Sequence, residues 1–416
     1  MLKNKVLLVS PLPFTNKMSG PSIRYVNMYF QLKQHFQVTM LIPSYDSVES
    51  QERWYPLSNP QIRAMGKWAD VIIVQGTTLF HYPLLKSLNK PLVVDLYDPF
   101  ILENLELRGN GLVDSTLYQI DIDILKEQIV CGDYYICSND RQVDFWLGCI
   151  AILGKINPKT YRHSHNSKEI IGVVPMGIPS EEPEKTNDVR RQYGVKENDF
   201  LAIWAGGVWE WLDIETLLQA FVILKHRHPY IKLLVMGAKE DEKITAFCKD
   251  HQLLDNNVIL SEWVPYENRQ NYLLSSNVGV ITHFDNFETR YSYRTRVLDY
   301  IWCNIPVITT EGDYFSQVIT KNNIGKVVKF KDAKHIADSL IDLYQNPGLS
   351  VTMRENIKNM KSEFYWENTI KDLMNFCYLP RRFPSKRSGA NLTRTIVKPI
   401  LMIAKKLLHK YKKVMK

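Results

Sequence analysis

Short unbroken apolar runs recur through the chain, each followed by a polar or glycine-bearing loop and then by apolar residues at helical spacing. This alternation constrains the fold more than any other feature. Lys5–Val9, Val38–Ile42, Val71–Val74, Leu92–Val94, Tyr134–Cys137 and Ile170–Val174 make a first set; Phe200–Trp204, Leu233–Gly237, Val258–Leu260, Val278–Ile281, Ile305–Ile308 and Gly325–Val328 make a second. Strands that are apolar along both faces are buried on both, which happens where helices cover the two sides of a parallel sheet. The expectation is an α/β chain with two doubly wound sheets, and 416 residues at 45% hydrophobic content suffice for two cores. In open sheets of this kind ligands bind beyond the carboxyl ends of the strands. The polar residues that follow each run are therefore where chemistry is to be sought.

The longest such polar stretch lies between Thr282 and Asp313. It leaves the Val278–Ile281 strand, passes through a loop, is expected to turn helical near Tyr293, and re-enters a strand after Asn304. Asp285, Glu288, Arg290, Arg294, Arg296 and Asp299 fall at its junctions. Carboxylates there can hold sugar hydroxyls, and arginines at a helix start can hold phosphate.

Elsewhere the signals are single. Gly20 precedes a helix, where it either lets backbone N–H groups approach an anion or makes a plain turn. Asp95, Asp98 and Glu103 follow the Leu92–Val94 strand; Asp98 equally suits the cap of a turn before Pro99. Gly206 and Gly207, between strand and helix, allow close approach to a diphosphate, while Trp209 and Trp211 either pack that helix or meet a sugar face. Val264 follows the Val258–Leu260 strand. His163 and His165 lack Cys or carboxylate at ligand spacing, so no metal site is expected.

Taken in order, these elements resemble the retaining GT-B glycosyltransferases of the GT4 type over residues 1–379. Asp299 in Leu298-Asp299-Tyr300 takes the second acidic position of their Glu-x7-Glu region, and Asn304-Ile305-Pro306-Val307-Ile308 takes the strand after it. Val174-Pro175-Met176-Gly177-Ile178 resembles the element that closes the first domain. The resemblance implies two Rossmann-like domains facing a cleft: 1–178 for the acceptor, 179–362 for the nucleotide-sugar donor, and 363–379 as a helix crossing back, with 380–416 left as a basic amphipathic tail. It implies a hexosyltransferase-type enzyme that moves a sugar, with retention, from a nucleotide diphosphate sugar to a membrane-associated glycan or lipid-linked acceptor in cell-surface polysaccharide synthesis, without cofactor or metal. Gly20, Asp95, Asp98 and Glu103 would face the acceptor, as would the set Ser138–Arg141. Gly206, Gly207, Trp209, Val264, Asp285 and Asp299 would bind the donor.

Two departures stand out. The first acidic position is Tyr291, and the family's basic residues in the Gly206–Asp213 loop are absent. Arg294 and Arg296, read as exposed at a helix start, are expected to replace the missing charge, with Glu288 approaching the sugar from the loop. A catalytically silent subunit that partners another glycosyltransferase, or a nucleotide-sugar epimerase of the same fold, are the alternatives.

The charge of +8 belongs to the end of the chain. Residues 380–416 hold 12 Lys and Arg and no acid, leaving 40 basic against 44 acidic residues before them, so nucleic acid is not the expected partner. Ile396, Ile400, Ile403, Leu407, Tyr411 and Val414 share one helical face, with lysines opposite. Six cysteines without CxxC pairing, and a first apolar run too short for a signal peptide, favour the cytoplasmic side, peripheral at the inner face of the membrane. Removal of 380–416 is expected to abolish sedimentation with anionic vesicles, and high salt to weaken binding of the whole chain. Unchanged vesicle binding by the shortened chain refutes this.

Overall fold

The computed structural model describes residues 3–15, 19–44, 52–109, 111–254 and 256–383; the expected tail helix lies outside them. Seven strands, β1 (Lys5–Val9), β2 (Gln37–Ile42), β3 (Trp54–Pro56), β4 (Val71–Gln75), β5 (Leu92–Asp95), β6 (Tyr134–Cys137) and β7 (Ile171–Val173), form one sheet in the order β3-β2-β1-β4-β5-β6-β7. Six more, β8 (Phe200–Trp204), β9 (Ile231–Val235), β10 (Val258–Leu260), β11 (Val278–Ile281), β12 (Val307–Thr310) and β13 (Gly325–Val328), form a second in the order β10-β9-β8-β11-β12-β13. Every pairing is parallel. In each sheet the order reverses beside the first strand, between β1 and β4 and between β8 and β11, which opens a crevice at the carboxyl ends. These are two Rossmann-like lobes, the expected GT-B architecture.

The apolar runs account for every strand but β3. That edge strand has no apolar run; Trp54 is held by Phe14 and Tyr29, with ring centroids 5.5 and 5.7 Å away, and Pro56 is tolerated because an edge position needs no donor. The 282–313 stretch also differs from expectation. It forms two helices, Phe287–Tyr291 and Thr295–Trp302, separated by Ser292 in an extended conformation (φ −66°, ψ 155°).

The lobes are joined by two crossings of the chain. Ile178 N donates to Phe364 O at 2.8 Å and Trp366 N donates to Ile178 O at 3.1 Å. Gly177 is required at this point, since a Cβ there would lie 2.8 Å from the Trp366 ring. The helix Lys371–Tyr378 then packs on the first sheet, where Asp372 accepts from Val173 N at 2.9 Å and Phe376 stacks on Tyr134 at 4.4 Å. Among the described residues no helix is long and apolar enough to cross a membrane.

A second close contact fixes the helix Thr295–Trp302 on β11. The Tyr300 ring lies flat against Gly279, where a Cβ would fall 2.4 Å from it, and its hydroxyl accepts from Ala205 N at 3.2 Å. This helix carries Arg296 and Asp299 to the mouth of the sheet. Gly279→Ala is expected to destabilise the chain by about 1–3 kcal/mol through overpacking, read as a lower urea midpoint. A midpoint equal to that of the unaltered chain refutes the contact.

Candidate active site

Between the lobes lies a cavity of about 270 Å³. Its wall is built from the carboxyl ends of the second sheet's strands (Ala205 to Gly207, Met236, Gly237), from Trp263, Val264 and Tyr266, and from Thr295, Arg296 and Asp299; Ser19, Gly20 and Met176 to Pro179 close it from the other side. The helix that begins at Gly20 has no side-chain cap, so its first N–H groups stay available. Gly206 sits at φ +110°, and a Cβ there would come within 3.2 Å of Arg296 Nε, so only glycine allows both the turn and the close approach.

Arg296 is half-buried and has no carboxylate partner among the described residues. Its Nη2 donates to Gly207 O, its Nη1 has no partner, and its guanidinium stands 5.1 Å from the Trp204 ring centroid. Burial pushes its pKa down to about 10, with Tyr300 opposing and Arg294 adding to the shift. It remains a cation at neutral pH, with a buried donor unsatisfied, and an anion is the group that would satisfy it. Asp299 is held differently: Arg269 Nε donates to its Oδ1 at 2.8 Å, and the Arg269 guanidinium stacks 3.6 Å from the Tyr266 ring centroid. Two guanidiniums against one carboxylate give this cavity a positive wall.

A second cluster is acidic. Arg24 and Asp95 form a fully buried bidentate pair (Nε to Oδ2 2.8 Å, Nη2 to Oδ1 3.0 Å). Arg294 and Glu288 form another (Nη1 to Oε1 2.8 Å, Nη2 to Oε2 2.6 Å), and Arg294 Nη2 also reaches Thr289 Oγ1 at 3.1 Å. Asp98 and Glu103 stand beside these pairs without a cation of their own among the described residues. Burial, then Glu103, drives the Asp98 carboxyl well above its usual range; burial and Glu288 push Glu103 up to about 7, with Arg294 opposing. A carboxyl that keeps its proton both donates and accepts, which suits it to hydroxyl recognition. Behind Arg294, His283 Nε2 lies 3.5 Å from Asp313 Oδ2, both buried; burial and then Arg294 keep His283 neutral, and burial lifts Asp313 to about 6.

Local capping places these groups. Asn286 accepts from Thr289 N at 2.8 Å and starts the helix Phe287–Tyr291; Asp213 and Asp313 start the helices after β8 and β12 in the same way.

The residues expected from sequence therefore divide. Gly20, Gly206, Gly207, Trp209, Val264, Arg296 and Asp299 line the cavity. Asp95, Asp98, Glu103, Glu288 and Arg294 belong to the acidic cluster. Asp285 is exposed and lines a separate depression with Phe287, Thr289 and Arg290. Arg294, expected at an exposed helix start, is buried, because it lies in the break between two helices and turns inward to Glu288. Trp209 and Trp211 stack on each other, 5.5 Å apart and 3° from parallel, with Trp209 still on the cavity wall. Arg141 falls in the Ser138–Arg141 set read from the sequence, while sequence reading misses Arg24, Gln142, Arg269 and His283. Each of these four is a polar residue inside a helix or at a strand end, with no motif to mark it.

Residues 185–360 match the family described as Glycosyl transferases group 1. Alpha-monoglucosyldiacylglycerol synthase of Acholeplasma laidlawii is 22% identical over 213 residues, 49% of this chain and 50% of that protein, so the match spans about half the length of this curated relative. Among solved structures, WaaG, a glycosyltransferase involved in lipopolysaccharide biosynthesis, superposes with a TM-score of 0.62 at 14% identity, covering 89% of this chain and 99% of WaaG. HepE of Anabaena in complex with UDP-glucose gives 0.65 at 11%, covering 90% and 98%. At such identities the likeness establishes the GT-B fold.

The Glu103 carboxyl binds its proton more tightly folded than unfolded. Its stabilising contribution is complete below pH 4.5, its ordinary value, and is lost as pH rises towards 7. Glu103→Gln is expected to flatten the fall in unfolding free energy across that window, measured by urea unfolding at stepped pH. Parallel pH dependences for the two proteins refute the assignment.

Proposed function

We propose that this chain is a glycosyltransferase that takes a sugar from a nucleotide diphosphate sugar and passes it, with retention, to a hydroxyl of a membrane-associated glycan or lipid-linked acceptor. The observation that carries the reading is Arg296. It is a half-buried guanidinium without a carboxylate partner among the described residues, beside two glycines at the carboxyl end of β8, in the cavity that Trp263, Val264 and Tyr266 also line.

In this reading the nucleobase lies along Gly237, Trp263 and Val264, the ribose hydroxyls meet the free oxygen of Asp299, and the diphosphate lies between Arg296 and the backbone of Gly206 and Gly207. Arg296 and these N–H groups stabilise the charge that grows on the diphosphate as the glycosidic bond breaks. Asp98, Glu103 and Glu288 hold hydroxyls of the transferred sugar and the acceptor, and the departing phosphate takes the acceptor proton. No step is assigned to a metal. Arg294 acts through Glu288: its two hydrogen bonds fix the position of that carboxylate. The group 1 match over the second lobe supports donor binding there. The basic tail in the sequence supports a membrane-associated acceptor and a position at the cytoplasmic face.

Incubation with a panel of nucleotide sugars, with nucleoside diphosphate release as the readout, tests the reading. Release with glycan formation supports it. Donor binding without release favours the silent subunit suggested by Tyr291, and interconversion of the sugar without release favours an epimerase.

The two arginines are expected to separate. Arg296→Ala should lower turnover by about 100-fold, the scale for removing one preorganised charge, and weaken nucleoside diphosphate binding with the fold intact. Arg294→Ala leaves Glu288 buried and unpaired, and should cost about 3–5 kcal/mol of stability. Asp299→Asn should mainly weaken nucleotide binding. Full activity in Arg296→Ala would place the phosphate elsewhere.

A further inference from the structure

The helix that carries Glu288 is completed from the opposite lobe. A helix leaves its last four carbonyls without intrahelical partners, and Phe287–Tyr291 is little longer than that. Arg141 Nη1 donates to Arg290 O at 3.2 Å and to Gly312 O at 2.6 Å, and Gln142 Nε2 donates to Tyr291 O at 2.8 Å. Both donors belong to the first turn of the helix Asp140–Ile152, at the carboxyl end of β6 in the first lobe. Gln142 is fixed there by bonds within its own lobe. Asn139 Oδ1 accepts from Gln142 N at 3.0 Å, and Gln142 Oε1 accepts from Ser138 N at 2.9 Å, so both ends of the fully buried Gln142 amide are used. The Phe145 ring, 4.7 Å from that of Tyr291, covers the contact. A guanidinium at a helix carboxyl end also meets the partial negative charge of its free carbonyls.

The consequence is an asymmetry between the two halves of the site. Gly206, Gly207, Arg296 and Asp299 all come from the second lobe and need no clasp to be in place. Glu288 and Arg294 face Asp98 and Glu103 of the first lobe, and that pairing exists only while the lobes are docked. We propose that Arg141 and Gln142 are positioning residues: by capping the Glu288 helix across the cleft they assemble the sugar-handling half of the site, while the nucleotide-binding half stands without them. This rests on the function proposed above.

The test compares Arg141→Ala, Arg141→Lys and the unaltered chain. Arg141 is the more exposed of the two donors, so its loss should leave the fold intact, as checked by thermal unfolding. Turnover of Arg141→Ala is expected to fall about 10- to 100-fold, the scale of a misplaced reacting group, with affinity for uridine, guanosine, adenosine and thymidine diphosphates within about threefold of the unaltered chain. Arg141→Lys, whose ammonium can still reach Gly312 O, should recover part of the loss. Independently of catalysis, backbone amides of residues 287–294 should exchange with deuterium faster in Arg141→Ala. Unchanged exchange in that segment overturns the proposal, as does an equal loss of diphosphate affinity and turnover with a lowered melting temperature. If the unaltered chain transfers no sugar from any donor, the proposed function fails, and the exchange measurement still decides the clasp.

Discussion

The ion pair between Arg294 and Glu288 organises the centre of this molecule. An arginine taken out of water without a carboxylate is costly, and so is a carboxylate without a cation. Here each supplies the other with two hydrogen bonds, at 2.8 and 2.6 Å. Several arrangements follow from that pairing. The chain breaks its helix at Ser292 so that Arg294 can turn inward. Behind the pair, burial and then the charge of Arg294 keep His283 neutral, and Asp313 caps its own helix. In front of it, burial and then the charge of Glu288 lift the carboxyl of Glu103 to about 7, where the two lobes meet.

The cleft is thus divided by charge. In the cavity, Arg296 and Arg269 outnumber Asp299; in the acidic cluster, Asp95, Asp98, Glu103 and Glu288 outnumber Arg24 and Arg294. A phosphate ester and a polyol need opposite environments, one rich in donors of fixed positive charge and one rich in acceptors with an exchangeable proton. The proposed reaction places its leaving group on the first side and its hydroxyl on the second. The Gly206–Asp213 loop has no basic residue of its own, and the Arg296 guanidinium reaches its glycines from the helix Thr295–Trp302. Tyr291 contributes a backbone carbonyl and a ring to the contact between lobes.

Both lobes contribute to the acidic cluster, whereas the second lobe supplies most of the cavity wall. The crossings at Ile178 and Trp366 make the lobes one chain twice over, and Gly177 lets those segments touch. The clasp by Arg141 and Gln142 adds a joint in which side chains of one lobe donate to backbone carbonyls of the other. A joint of that kind is short-ranged and directional, so it specifies a docked geometry more sharply than the apolar packing around it.

The sequence alone determined the two parallel sheets, because strands buried on both faces must be apolar throughout and such runs are visible one by one. It also determined that Gly206, Gly207 and Asp299 fall at strand ends or on the helix that follows, since that position is set by the local alternation of strand, loop and helix. The edge strand at Trp54–Pro56 escaped, since its order comes from aromatic neighbours contributed by other segments. Only the tertiary structure decided which charges meet. Arg294 and Arg296 are two residues apart and looked equivalent, yet one turns into a buried pair and the other stays without a carboxylate; Asp285 and Glu288 are three apart, and one is exposed while the other is buried. Pairings such as Arg24 with Asp95, Arg269 with Asp299, or Gln142 with Tyr291 span 71, 30 and 149 residues. Periodicity reports on neighbours a turn or a pleat away, and electrostatic partners this distant are chosen by how the lobes fold and face each other.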